Sequence, residues 1–339
     1  MTETKMNVLM ASAGRRTKLA QYFCETLGDG GKLVAVDCSP YAPALYIAYK
    51  AYIVSRIDAP GYLDNLLGIC REEKITGIFS LIDPEISLLA KNKKAFESLG
   101  TVVFTSSYEA CETCFDKMAF YKFLKKHGFS CAFTVDNLED FNTALIEKKI
   151  AFPVFVKPTK GSASIGITEI RDEKGISVLS GCRDDVIIQQ HLGHDEYGVD
   201  VYVDMLSREI VSIFAKKKLA MRAGETDKAV SIIDHGLFGI VSDLVRELGL
   251  LGPIDIDVFK VDNRYYISEI NPRFGGGYPL AFECGEKFPG FILNNMRGLK
   301  NKPVIGRYKE GVVMMKHDTL ITREESSLIK NRVGAEKSL

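Results

Sequence analysis

Surplus charge, long apolar runs and a cationic leader are all missing from this chain. Basic and acidic residues balance at 44 each, so the formal net charge is zero. A nucleic-acid partner favours a strongly basic face, so none is expected here, although a local basic pocket remains allowed. No apolar run approaches the roughly 20 residues that span a bilayer, so no membrane partner is expected. Met1-Thr2-Glu3-Thr4-Lys5 lacks the cationic start and apolar core of a signal peptide. The eight cysteines are scattered along 339 residues rather than packed as in a small disulfide scaffold. They read as reduced thiols of a cytoplasmic protein. Cys111-Glu112-Thr113-Cys114 has redox or metal spacing but no second pair, and reads as buried helix-start cysteines. No internal repeat or low-complexity stretch is present.

Two further absences narrow the nucleotide chemistry. The turn Ala11-Ser12-Ala13-Gly14 lacks the three-glycine spacing of a dinucleotide site, and Asp37 alone does not supply one. The loop Lys157–Gly166 lacks the Gly-Lys-Ser/Thr ending of a Walker P-loop, and a strand follows it in place of a helix.

What is present is ordered. With 46% apolar and 26% charged residues the chain is an ordinary globular one, long enough for two or three domains. In the first third, strands at Met6–Met10, Leu33–Val36, Ile75–Leu81 and Thr101–Phe104 alternate with helical patterns. That alternation predicts βαβ units and a parallel sheet, with ligands beyond the carboxyl ends of the strands. Ala11–Arg16 and Asp83–Glu85 fall at such ends. Arg15 and Arg16 suit an anionic substrate group at a helix start, Arg15 more than Arg16.

The pattern changes near residue 112. A helix over Asp116–His127 and strands near Ala132–Thr134, Val154–Lys157, Ile167–Ile170 and Val186–Gln190 follow. Further strands at Val199–Asp204 and Ile210–Ala215 read as antiparallel. Asp234–Leu248 is an amphipathic helix, and Ile254–Val261 with Tyr265–Ile270 form a hairpin around Asp262-Asn263.

The chemistry concentrates in three segments. Glu269 and Asn271 are two apart on a strand and face the same side, with Arg273 following at the edge. Oxygen ligands are what a hard divalent cation takes, and magnesium on a nucleotide keeps only one or two carboxylates plus phosphate oxygens. If Asp257 and Glu269 share a metal, they must face each other across the hairpin. A plain two-residue turn at Asp262-Asn263 would put Glu269 on the wrong face, so either a longer loop through Arg264 or a bulge is expected. In the second segment, Lys157 and Lys160 flank the glycine- and serine-rich loop containing Gly161, Ser162, Ser164 and Gly166. Its small residues let backbone N–H groups approach phosphates. In the third, Gln189-Gln190-His191-Leu192 runs from a strand into a linker whose backbone suits an adenine edge, and Glu196 suits ribose hydroxyls. Gly275 and Gly276 allow close approach of a substrate. Arg222 reads as a substrate-side or phosphate contact. Of Lys216-Lys217-Lys218, one lysine suits the phosphates on an otherwise solvated strand end.

Taken in order, these segments resemble the ATP-grasp superfamily, closest to the branch related to the large subunit of carbamoyl phosphate synthetase, over roughly residues 5–300. The resemblance implies an α/β and α+β fold: an N-terminal parallel-sheet pre-ATP-grasp domain (1–111), then a two-lobed ATP-grasp fold (small lobe 112–187, large lobe 188–310) and a C-terminal extension (311–339). It implies Lys117 and Lys157 on the nucleotide phosphates and Gln190, Leu192 and Glu196 on the nucleoside. Asp257, Glu269 and Asn271 would hold magnesium, with manganese as an alternative, and Arg273 would lie beside the transferred phosphate. Gln190 stands where the family usually has glutamate, and Asp257 where it often has Glu or Gln. A single grasp module implies an ATP-dependent carboxylate–amine ligase acting on small molecules, with a homodimer as one possible assembly. A carbamoyl-phosphate-type phosphotransferase and a nucleotide-binding regulator without turnover are the alternatives.

Overall fold

The computed structural model describes residues 5–161, 166–177, 185–330 and 333. Three sheets carry the architecture. Strands β1 (Asn7–Ala11), β2 (Leu33–Asp37), β3 (Lys50–Ile53), β4 (Ile75–Ser80) and β5 (Val102–Val103) pair in parallel, in the order β3-β2-β1-β4-β5. The order reverses between β1 and β4, which opens a crevice beyond their carboxyl ends. The loop Ala11–Arg16 and the helix start at Asp83 stand at that crevice. Strand β3 is an addition to the sequence reading: it sits at an edge and is too short to announce itself by periodicity.

The second sheet is small and antiparallel, ordered β6-β9-β7-β8 from β6 (Thr134–Val135), β7 (Val154–Pro158), β8 (Thr168–Ile170) and β9 (Val186–Gln190). The third holds β10 (Glu196–Val203), β11 (Ile210–Arg222), β12 (Glu225–Ile232), β13 (Gly252–Val261), β14 (Arg264–Asn271) and β15 (Val313–Met315), ordered β14-β13-β10-β11-β12-β15 and antiparallel throughout. One face of this sheet packs on the helix His235–Leu248, through Leu237, Val241, Leu244 and Val245. That helix starts where the Asp234 carboxylate accepts from the Leu237 N–H, and stops at Gly249 in the left-handed region. Each such cap is worth about 1 kcal/mol.

The N-terminal sheet does not hang free of the large one. Phe23 stacks on Phe79 at 4.6 Å, and both meet Phe274 edge-on. Tyr22 stacks on Phe282 at 3.7 Å. One buried cluster therefore runs from the first helix (Thr17–Leu27) through the segment that follows β14. Among the described residues no helix is long and apolar enough to cross a membrane.

Candidate nucleotide and metal site

The β13–β14 hairpin answers the register question directly. Asp262 and Asn263 both have positive φ, which makes a tight two-residue turn, and Val261 pairs with Arg264. The pairing then shifts: Val258 faces Ile267, but Asp257 faces Glu269, leaving Ser268 as an extra residue. This bulge brings Asp257 and Glu269 onto one face, as a metal site needs. The next pair on that face is Asp255 opposite Asn271.

The neighbouring strands extend the same polar face. Gly198 of β10 lies opposite both Asp257 and Lys216, and Asp200 lies opposite Asp255. The Lys218 ammonium donates to Asp257 Oδ1 and Glu196 Oε1, each at 2.6 Å, while Lys216 is fully buried against Asp200. Lys217, on the opposite face, pairs with Asp195 in half-exposed surroundings. Two of the three consecutive lysines thus enter the cleft, where one was expected.

Crowding of like charges sets the electrostatics. Burial, then Asp257, raises the Glu269 carboxyl above its ordinary range, and Lys117 and Lys157 oppose the rise. Burial and then Asp257 raise Asp255 to about 7. Burial and Asp257 raise Glu196 as well, against the pull of Lys218. Burial works against the Lys218 ammonium, yet Asp257 and Glu196 hold it above its usual value. Five carboxylates (Glu196, Asp200, Asp255, Asp257, Glu269) therefore share one face with two lysines. The side chains of Glu269 and Asn271 make no hydrogen bond among the described residues. Two facing carboxylates and an amide oxygen, short of positive charge, fit a hard divalent cation that takes its remaining ligands from phosphate. Among the described residues, here or elsewhere, no group of three or more His, Cys, Asp or Glu is arranged to hold a metal ion by itself, so a cation here would depend on phosphate oxygens for its other ligands.

From the small sheet, Lys157 reaches over this face. Its ammonium donates to Gln189 Oε1 at 2.8 Å, and the Gln189 amide donates to Thr134 Oγ1 at 3.0 Å. Burial lowers the Lys157 ammonium, with Glu269 as the main opposing attraction. A narrow space lined by Lys117, Lys157, Gln189, Ser268 and Glu269 separates the two sheets here. Lys117 stands on the first turn of the helix Lys117–Lys126, capped by Asp116. Its ammonium donates to the Gly161 carbonyl at 2.8 Å, and its N–H to the Thr159 carbonyl at 2.9 Å. The loop after β7 is thereby tied to the helix start. Gly166 returns from that loop with φ near 76°, a conformation only glycine adopts freely. Ser162 and Ser164 lie outside the described residues.

The remaining assignments divide. Gln190 is engaged at both ends: its N–H donates to the Phe133 carbonyl, and its side-chain oxygen accepts from the Phe133 N–H at 3.3 Å. That leaves its amide a structural latch between β9 and the residues before β6. His191 Nδ1 accepts from the Gly193 N–H at 3.1 Å, which fixes the ring beside Phe155 and half-buried Leu192 follows. Lys160 is half-exposed and pairs with Glu112 at 3.3 Å. Arg222 is held outward by Asp227 and Asp318. Arg15 is 57% exposed while Arg16 is 21% exposed, the reverse of the order the sequence suggested; both meet Glu225. Gly275 and Gly276 lie against Asp255 and Arg16 respectively. Arg273 is buried, its Nε and Nη2 each 3.0 Å from the Asp83 carboxylate. Cys111 and Cys114 are buried thiols raised by burial, Cys111 to about 11, as befits inert packing.

Asp255 went unnoticed in the sequence, although it stands two before Asp257 and so shares its face. The sequence puts Asp83 near a ligand-binding end and Lys218 among lysines suited to phosphates, but without their partners, Arg273 for the one and Asp257 with Glu196 for the other, because those partners come from distant segments.

Residues 8–104 match the PylC-like N-terminal domain family and residues 114–277 match the ATP-grasp domain family. Over 112 residues the chain is 30% identical to D-alanine–D-alanine ligase from Flavobacterium johnsoniae, covering 31% of this chain and 35% of that protein. Over 272 residues it is 25% identical to the carbamoyl phosphate synthase large chain of Vibrio cholerae, covering 75% of this chain and 24% of that one. The chain thus spans about a third and about a quarter of these relatives' lengths. Its fold is that of N5-carboxyaminoimidazole synthetase from Staphylococcus aureus complexed with ADP, with a TM-score of 0.68 at 17% identity over 87% of this chain and 79% of that one. The parallel sheet thus belongs to a PylC-like N-terminal domain, and the small and large antiparallel sheets that follow belong to an ATP-grasp domain.

Proposed function

We propose that the chain is an ATP-dependent carboxylate–amine ligase that forms an amide through an acyl phosphate and releases ADP and phosphate. The observation that carries this reading is the bulge at Ser268, which sets Asp257 opposite Glu269 beneath Lys157. The division into an N-terminal domain (1–111), small lobe (112–187), large lobe (188–310) and extension (311–339) follows the three sheets, apart from β9, most of which lies past the second boundary, and β15, which joins the large sheet from within the extension.

In this reading the nucleotide lies between the small and large sheets. Lys117 and Lys157 neutralise its phosphates, with Gly161, Ser162, Ser164 and Gly166 covering them and Lys160 at the rim. Gln189 aims Lys157; Gln190, His191 and Leu192 form the linker beside the adenine, and Glu196 accepts from the ribose. Magnesium, or manganese in its place, would be held by Asp257, Glu269 and Asn271, and would offset the charge on the phosphate oxygens. Lys218 already places a positive charge between Glu196 and Asp257, so nucleotide entry must move or share that ammonium. The substrate carboxylate attacks the γ-phosphorus; Arg273, with N–H groups beyond those given to Asp83, faces the transferred group. An amine then displaces phosphate to give the amide. Exclusion of water by the loop over the phosphates matters because an acyl phosphate hydrolyses when wet. Arg15, Gly275 and Gly276 would line the substrate side, with Arg222 at its outer edge.

The test is ADP release with ATP, magnesium and a panel of carboxylates and amines. Amine-dependent release with an amide product supports the ligase. Release that requires bicarbonate or a hydroxyl acceptor would replace it with a phosphotransferase. Tight ATP binding without any release would leave a regulator.

A further inference from the structure

Beyond the phosphates, a second set of charges surrounds Gly275–Gly277. The Asp255 carboxylate makes no hydrogen bond or ion pair among the described residues, although it is only partly exposed. A Cβ built on Gly275 would stand 2.2 Å from Asp255 Oδ1, so this carboxylate lies directly on the Gly275 backbone. A Cβ on Gly276 would stand 2.9 Å from Arg16 Nη1. A carboxylate and a guanidinium therefore meet consecutive residues, whose Cα atoms are about 3.8 Å apart. Around the guanidinium the balance is positive. Arg15, Arg16 and Lys316 all pair with the single carboxylate of Glu225, at 3.3, 3.4 and 3.3 Å. Lys316 also donates to the Gly276 carbonyl at 2.9 Å. These groups come from three places: the loop after β1, the β11–β12 hairpin and the segment after β15.

We propose that Asp255 and Arg16 together read a zwitterion: Asp255 takes the ammonium of a free α-amino acid, and Arg16, backed by Arg15 and Lys316, takes its carboxylate. The assignment rests on the ligase reading of the neighbouring site and narrows its substrate class. A simple carboxylic acid would leave Asp255 unmatched against another negative group. A simple amine would leave three cations sharing one carboxylate. Only a molecule carrying both charges a few bonds apart satisfies both ends of the Gly275–Gly276 step. Sites built to bind a charged group reject analogues that lack it more strongly than apolar pockets reject a missing methylene.

The test is calorimetric binding to the full chain with magnesium and a non-hydrolysable ATP analogue. The panel holds free amino acids of both hands, their N-acetyl derivatives and their carboxamides. At least one free amino acid binds, with each of its derivatives weakened about tenfold or more. Asp255→Asn removes the discrimination against the N-acetyl form, and Arg16→Gln removes that against the carboxamide. Arg16→Lys recovers part of the carboxylate preference. In Arg16→Gln and Arg16→Lys the affinity for the nucleotide analogue stays within about twofold, and Asp255→Asn keeps the discrimination against the carboxamide, neither of which a general collapse of the cleft would permit. Failure of every free amino acid to bind, or equal binding of N-acetyl forms by the unaltered protein, overturns the proposal. Binding and turnover separate the two claims. Zwitterion binding without ADP release would remove the ligase and leave this site. ADP release driven by plain carboxylates, with no amino acid bound, would do the opposite.

Discussion

Glu269 is held in a place where its charge is costly without a cation. Burial raises its carboxyl, and Asp257 directly opposite raises it further. Replacing it with glutamine removes one of two facing like charges, so the protein without nucleotide is expected to melt at the same temperature or higher. ATP-dependent ADP release, by contrast, is expected to fall by about 10²–10³-fold, the usual loss when one preorganised charge partner is removed. A Glu269→Gln protein with ordinary turnover would remove the metal site from the mechanism. Asp255 gives a second expectation, read from pH. Its folded value, about 7, lies above the ordinary carboxylate value of 3.8, so the folded protein holds this proton more tightly than the unfolded chain does. The stability it contributes is fully present below the unfolded value and is lost as pH rises through about 7. Denaturant unfolding at pH 5 and pH 8 should show the unaltered protein losing stability between the two. Asp255→Asn should lose less, though not nothing, because Glu269 and Glu196 are shifted in the same direction. An unchanged slope in the variant would contradict the assignment.

At the scale of elements, the hairpin shows how one extra residue sets a register. Deleting Ser268 makes Glu269 the next residue after Ile267, so the two-residue turn at Asp262-Asn263 sets it opposite Asp257 without a bulge. The deletion variant is expected to fold, since both strands keep partners, and to keep magnesium-dependent nucleotide binding by calorimetry, because the facing pair survives. Loss of that binding would show that the local bend of the bulge, and not the pairing alone, positions the two carboxylates. This feature was legible beforehand because a side-chain period of two makes the parity of the hairpin a matter of counting. The N-terminal strands were legible for a similar reason: β1, β2 and β4 are continuous apolar runs flanked by turns. Strand β12 was not, because Glu225–Ile232 mixes charges with apolar residues and its apolar positions are partly spaced by Lys228 and Thr226. The far end of β11 was hidden by its own lysines. Three in a row read as solvated, yet Lys216 and Lys218 point into acids contributed by β10 and β13, which sequence spacing does not disclose. The same limit applies to Arg16. Its neighbour Arg15 has the same composition and a similar position, and only the approach of Glu225 and Gly276 separates an enclosed arginine from an exposed one.

Across the whole molecule, the most enclosed of the charged contacts between the N-terminal domain and the large sheet is the pair Asp83–Arg273. Asp83, at the start of the helix after β4, accepts from two nitrogens of Arg273, which follows β14. Both side chains are nearly closed to solvent, at 6% and 9% exposed. Burial disfavours the Arg273 charge, and Asp83, with Asp255 and Glu269 adding to it, more than offsets that cost, leaving the guanidinium above its ordinary value. The pair therefore fixes the orientation of the Arg273 guanidinium while joining the two sheets. Asp83→Ala strands a buried guanidinium, for which losses of about 3–5 kcal/mol are usual; Asp255 nearby offsets part of the charge, so the lower end is expected. Thermal melting reads this as a clear drop in Tm, whereas a melting point equal to that of the unaltered protein would show that the contact carries no stability. The double variant Asp83→Leu with Arg273→Met replaces both charges by apolar groups beside Phe79 and Phe274, and is expected to recover most of the lost stability, since a buried ion pair is often matched by well-packed apolar residues. Its ADP release should stay low even so, because the guanidinium proposed to face the γ-phosphate is gone. Recovery of activity along with stability would mean that Arg273 serves only to hold the sheets together, and the electrostatic part of its role would then fall to Lys157 and Lys117.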